Sequence, residues 1–174
     1  MQRPTCVDTR VRSTKDAQKI IYAAYLGRLP AAHRRLDGEE RAALRSGHSY
    51  AWEEKPNNQH TGQGMERWTE GKKWGPSRVR DDFLFYYEQW VSPSNLPPGA
   101  FVLSSLSRPI GTLDPSQNEL TTGCLTKQTY SIQMKTPQGE RKWHLNTYFT
   151  QATLDALGTI DDIPGVGDLV IPEG

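Results

Sequence analysis

Residues 124–149 read CLTKQTYSIQMKTPQGERKWHLNTYF. Tyr130, Ile132 and Met134 alternate with Lys127, Thr129, Ser131 and Gln133, the period-two pattern of a strand with one buried face. Thr136-Pro-Gln-Gly supplies a turn, and from Lys142 the alternation resumes with Trp143, Leu145, Thr147 and Phe149 on one side. The stretch is therefore a β-hairpin, and the rest of the chain must supply what pairs with it and covers it. Residues 83–88 (FLFYYE) are an aromatic strand, and residues 49–54 form another in which Tyr50 and Trp52 share a face. Residues 5–12 also alternate, with Val7, Thr9 and Val11 inward and Asp8, Arg10 and Arg12 outward.

Helical signals are few. Ser13 precedes Asp16 by three positions, and Ala17, Ile20, Ile21 and Ala24 share one helical face before Gly27 and Pro30 stop the run. A second helix is expected from Asp37 to Gly47, its acidic start and basic end both agreeing with the helix dipole. Thr150 is positioned to cap a last short helix ending at Gly158, and the acidic tail beyond it has no periodicity. Residues 55–66 are a polar loop, and residues 92–121, rich in proline and serine, are a connector with at most a short strand at 101–103. Strands and helices are mixed without βαβ alternation, so the class is α+β with a mainly antiparallel sheet.

The chain has 174 residues, 35% of them hydrophobic, with a mean hydropathy of −0.71, which suits one domain with a lean core. No stretch approaches the ~20 apolar residues of a membrane span, and the N-terminus carries no secretory signal pattern. Cys6 and Cys124 are the only cysteines, so a disulfide framework and a cysteine-rich zinc site are excluded and a reducing, intracellular compartment is expected. The net charge of +1 hides a segregation: residues 1–80 carry +7, 81–126 carry −4, 127–150 carry +3 and 151–174 carry −5. This is either a basic face assembled from two segments or simple blockiness on a solvated surface.

Enzyme motifs fail on spacing. Gly64 and Gly71 are separated by six residues where a phosphate loop needs four, and Lys73 occupies the place of its Ser/Thr. His33, His48, His60 and His144 lack metal-ligand spacing, and the Glu-x-Lys pattern of a magnesium nuclease occurs three times, which marks it as noise. No cofactor, metal or small-molecule substrate is expected. The informative segment is residues 67–80, RWTEGKKWGPSRVR, with five cations against the single acid Glu70. Arg and Lys meet phosphate charge, Thr69 and Ser77 donate to oxygens, and glycines let the backbone approach closely. Trp68 and Trp74 read as loop anchors in preference to base-stacking platforms. A protein-interaction module binding acidic or phosphorylated peptides through the same loop is the alternative.

The segment resembles the signature loop of the WOPR domain, a DNA-binding domain of fungal transcriptional regulators of morphology, development and virulence. Residues 11–17 (VRSTKDA), 27–30 (GRLP), Glu40-Arg41, residues 45–47 (RSG) and 83–86 (FLFY) resemble the family's first conserved half. Residues 123–130 (GCLTKQTY) and 143–150 (WHLNTYFT) resemble the second. The resemblance implies a single domain over residues 1–174, in which a first half (5–91) and a second half (121–172) interdigitate around one sheet across a variable connector (92–120). It implies a nuclear, non-enzymatic regulator whose loop enters the minor groove of A·T-rich double-stranded DNA. On this reading Arg67 and Arg78 enter the groove, Lys72, Lys73 and Lys127 clamp phosphates, and Thr69 and Ser77 donate to the backbone. Arg10 and Arg12 are weaker contact candidates, Arg34 and Arg35 a solvated rim, and Thr69 a candidate phosphorylation site. Departures are Glu70 and Gly75-Pro76, where the family commonly has Asp and Ser-Pro, and the acidic end Arg80-Asp81-Asp82. The family's long polar C-terminal region is absent from this sequence, so any activation function is expected to be missing or to lie elsewhere.

Overall fold

The computed structural model describes residues 2–55, 65–89 and 125–172. Its elements in chain order are α1 (Thr14–Tyr25), α2 (Gly38–Ala42), β1 (Ser49–Glu53), β2 (Arg78–Arg80), β3 (Phe83–Tyr87), β4 (Thr126–Thr136) and β5 (Gly139–Phe149). The expected hairpin is β4–β5, eleven residues on each arm, in register from Thr126↔Phe149 to Thr136↔Gly139. β1 adds antiparallel to β5, and β3 adds antiparallel to β4 with β2 outside it, giving the order β1-β5-β4-β3-β2. The hairpin from the second half is thus flanked on both sides by strands of the first. The α+β class and the sheet shared by two interdigitated halves are as the sequence led one to expect.

α1 forms where its cap and its apolar face agree. The Ser13 hydroxyl accepts from the Asp16 backbone N–H at 3.3 Å, and Ala17, Ile20, Ile21 and Ala24 are buried. They pack with Ala51, Phe83, Tyr130, Trp143 and Leu145 on one side of the sheet. Complete burial of Ile20 and Ile21 is worth about 1.5–3 kcal/mol each. Across the sheet, Tyr50, Trp52 and Tyr148 are covered by Ala32, Leu36, Leu44, Met65 and Trp68. With both faces covered, β5 is buried almost continuously from Leu145 to Phe149, so its alternation understates its core role.

Three local expectations are corrected. Residues 5–12 are not a strand: Asp8 has a φ of 49°, and only isolated bridges form, Cys6 with Ser49 and Thr9 with Gly158. The kink breaks the period, so Cys6 is buried and Val7 stands 52% exposed. The second helix stops after Ala42 because the chain turns to bring Leu44 into the core. Gly47, at a φ of 93°, then lies so close to Asp8 that an added Cβ would sit 2.7 Å from its Cα. No α-helix follows Thr150, whose hydroxyl pairs with that of Thr153, and a single 3-10 turn, Leu154–Ala156, delivers Gly158 to its bond with the Asp8 carbonyl.

The acidic tail, though without periodicity, is folded. A 3-10 turn at Ile160–Asp162, capped reciprocally by Thr159 and Asp162, buries Ile160, and Val166 and Leu169 follow it into the core. Cations of the first half hold it there: Arg12 lies 3.1 Å from Asp161, and Lys19 donates to the Gly167 carbonyl at 2.6 Å. The charge segregation is thus in part an internal pairing. The expected strand at 101–103, the connector and most of the 55–66 loop lie outside the described residues.

Candidate nucleic-acid interface

The basic loop is seated by a buried polar hub. Trp68 is 8% exposed, packs against Tyr50 and Trp52, and donates its indole N–H to the Tyr148 hydroxyl at 2.7 Å. That hydroxyl donates to Glu70 Oε2 at 2.6 Å, and the Trp74 indole N–H donates to Glu70 Oε1. Lys127 completes the set, with Nζ 3.2 Å from both Glu70 oxygens and lying over the rings of Trp74 and Tyr86. Glu70 is thus a buried carboxylate with each oxygen accepting from a neutral donor and from the Lys127 ammonium, as burial of an ion requires. Burial, with the Glu70 charge second, holds the Tyr148 phenol well above the ordinary tyrosine range.

Backbone contacts fix the outgoing limb. Trp74 bridges Glu88, the Gly75 N–H donates to the Tyr87 carbonyl at 2.8 Å, and the Gln89 N–H to the Lys73 carbonyl at 2.9 Å. Gly71 has a φ of 75°, and a Cβ there would meet the Arg41 guanidinium at 2.8 Å. Glycine therefore makes the turn and admits Arg41 of α2 to the loop's side. β2 and β3 close through Asp81 and Asp82, both at positive φ, the geometry of a two-residue hairpin turn.

The sequence-predicted residues divide by what they touch. Arg67, Thr69, Lys73, Ser77 and Arg78 are exposed, and among the described residues none of those three cations is ion-paired. Lys72 is paired with Glu88 at 3.2 Å. Lys127, expected to join the loop's cations as a phosphate clamp, is turned inward onto Glu70, with its side chain 12% exposed. Trp68 and Trp74 are both inside the hub. Arg78 is not on the loop itself but on edge strand β2, where its register with Phe85 places it on the α1 side of the sheet. Arg12 is committed to Asp16 and Asp161, and Arg10 lies 3.8 Å from Asp155. Sequence reasoning missed Glu70, Tyr148 and Arg41. Glu70 carried a signal, as the lone acid in a cationic run; Tyr148 and Arg41 carried none.

The Gti1/Pac2 family model matches residues 8–98, just over half of the chain. The chain belongs to the Gti1/Pac2 family. Among its Gti1/Pac2 relatives, the cAMP-independent regulatory protein pac2 of Schizosaccharomyces pombe is 38% identical over 78 residues, 45% of this chain and 31% of that protein. The global transcription regulator FGP1 of Gibberella zeae is 38% identical over 79 residues, 45% of this chain and 21% of that protein. The matched stretch spans a third or less of either relative. The fold is that of the WOPR domain of Wor1 in Candida albicans, solved in complex with a 17-bp double-stranded DNA. The TM-score is 0.65 at 22% identity, over 98% of this chain and 95% of that one. A complex of the same domain with a 13-bp duplex gives a TM-score of 0.67. The resemblance to the WOPR family read from the sequence is met in both comparisons.

Proposed function

We propose that this chain is the sequence-specific double-stranded DNA-binding module of a fungal transcriptional regulator, nuclear and without catalysis, in the control of morphology and virulence that its family resemblance implies. The observation that carries the reading is the division within residues 67–80. One set of side chains is spent on a buried hub, and a second set, the cations Arg67, Lys73 and Arg78 and the hydroxyls of Thr69 and Ser77, is left in solvent on a backbone the hub seats. Two Gti1/Pac2 relatives are named as transcription regulators, and the WOPR domain of the same fold was solved with duplex DNA. In this reading Arg67 and Arg78 approach the bases of an A·T-rich minor groove, where the potential is most negative. Lys73 contacts phosphate, Thr69 and Ser77 donate to backbone oxygens, and Lys72 contacts phosphate by giving up Glu88. Lys127 serves from behind, as the counter-ion that keeps Glu70 and the loop in place.

The test is a salt titration of binding to an A·T-rich duplex, a mixed-sequence duplex and a phosphopeptide. Lys73→Ala should weaken both duplexes alike and flatten the dependence on log salt by about 0.9 of a unit, one phosphate's share. Lys72→Ala should do the same to a smaller extent, since its pairing with Glu88 competes. Arg67→Ala and Arg78→Ala should instead cost about 1–3 kcal/mol more on the preferred site than on random DNA. Thr69→Glu, standing for a phosphate, should weaken binding to every duplex by repulsion. Unchanged affinity, slope and preference across the set would exclude the loop, and tighter binding to the phosphopeptide would favour the interaction-module reading.

A further inference from the structure

On the α1 side of the sheet, a groove of about 1000 Å³ runs between α1, the hairpin end of β4 and the C-terminal tail. Its floor is apolar: Tyr22 and Met134 are only partly buried against the core, and Val170 stands 83% exposed at one wall. Its rims are basic. Lys15 and Lys19 line it from α1, and Lys135, whose side chain alternates with Met134 across the strand, lines it at the edge of β4 beyond the stretch paired with β3, against the single acid Asp168. Lys19 is spent on the Gly167 carbonyl, which fixes the wall, and among the described residues Lys15 and Lys135 are not ion-paired.

We propose that this groove docks an acidic amphipathic segment of a protein partner. The match is one of charge and polarity together: an apolar stripe laid on Tyr22, Met134 and Val170 would bring flanking carboxylates to Lys15 and Lys135. A phosphate backbone would use the lysines but leave the apolar floor and Val170 without a role, which argues for peptide over nucleic acid. Trp68 and Trp74 seat the basic loop against the other face of the sheet; Arg78 shares the groove's face but lies on edge strand β2, two strands away from β4. The module would then carry a recruited partner on the face away from its loop anchors.

The probe is a fluorescein-labelled helical peptide of about 20 residues, leucines at i, i+3, i+4 and i+7 and Asp or Glu on both flanks. It is titrated against the intact chain beside two controls, one with Lys for the acids and one with Ser for the leucines. Saturable binding of the acidic peptide, at least about tenfold tighter than either control, is expected because both charge and apolar contact are required. Lys15→Glu, Lys135→Glu and Val170→Asp should each weaken it several-fold while melting temperature and duplex affinity stay at wild-type values. Equal binding of the controls, or wild-type affinity in all three variants, would overturn the proposal. So would displacement of the peptide by duplex DNA, or a loss of duplex affinity in Lys15→Glu and Lys135→Glu, since either would assign the surface to DNA.

Discussion

Glu70 draws in Lys127, Tyr148 and Trp74, and Trp68 through Tyr148, so two side chains of its own loop and two from the distant hairpin depend on one carboxylate. Glu70→Gln should leave the Lys127 ammonium nearly buried without a counter-charge, a loss of about 3–5 kcal/mol by analogy with other broken buried pairs. Adding Lys127→Met should restore much of that stability, because removing both charges also removes their desolvation cost; urea melts of the two variants make the comparison. Other buried groups set the pH range. Burial holds Tyr50 and Cys6 at about 12 and Tyr148 well above its ordinary value, so their contribution is complete below about pH 8.5–10 and is lost as pH rises beyond. On the acid side, burial depresses His48 and His144, and hydrogen bonds from Arg34 hold Glu40 at about 2. Their contribution is complete above about pH 6.5 and falls away below, first with the histidines and then with Glu40 as pH drops through 4.5 toward 2. Denaturation midpoints at pH 5, 7.5 and 10.5 should therefore peak at the middle value; a flat profile would mean these groups are solvated in the fold. The cations and the tryptophans of the loop were legible from composition. The inward turn of Lys127 was not, because it depends on a carboxylate 57 positions away that only the folded sheet brings near.

Among the elements, the β2–β3 hairpin is the one built against its own sequence. Asp81 and Asp82 occupy positive-φ positions that Asn-Gly would take without strain, and β2 is an edge strand among the described residues, with all three of its residues exposed. Asp82→Gly should raise stability by about 0.5–1 kcal/mol, the relief of left-handed strain less the entropy glycine adds to the unfolded chain. A lower thermal midpoint would show that the Asp82 carboxylate itself stabilises the turn. The longer elements were readable because their signals are local and repeated: a cap and four apolar positions for α1, two alternating runs and a turn for β4–β5. The misreadings at residues 5–12, 43–47 and 150–158 share one cause. Their backbones bond to each other, Thr9 to Gly47 and Arg10 to Gly158, and those partners overrode the periods and caps that local sequence displayed.

For the molecule as a whole, strand order determines what can fold alone. β1 and β3 are never neighbours; each reaches the other only through the β4–β5 hairpin. Residues 1–91 made separately should therefore be unfolded, as should residues 121–174, and mixing them should restore a cooperative melt, because neither half covers its apolar faces without the other. A cooperative transition in the first fragment alone would refute that dependence. The same order bears on birth in the cell. Ser49 pairs with Thr147 and Leu84 with Thr129, so β1 leaves the ribosome nearly a hundred residues before its partner exists. At about 5–20 residues per second the first half waits for seconds with β1 and β3 lacking their hairpin partners and with Ala51 and Phe83 lacking the Tyr130, Trp143 and Leu145 they pack with. Nascent chains stalled before residue 125 should accordingly be substrates for chaperones that bind exposed aromatic strands, and release from them should coincide with synthesis of the last fifty residues rather than with any earlier milestone.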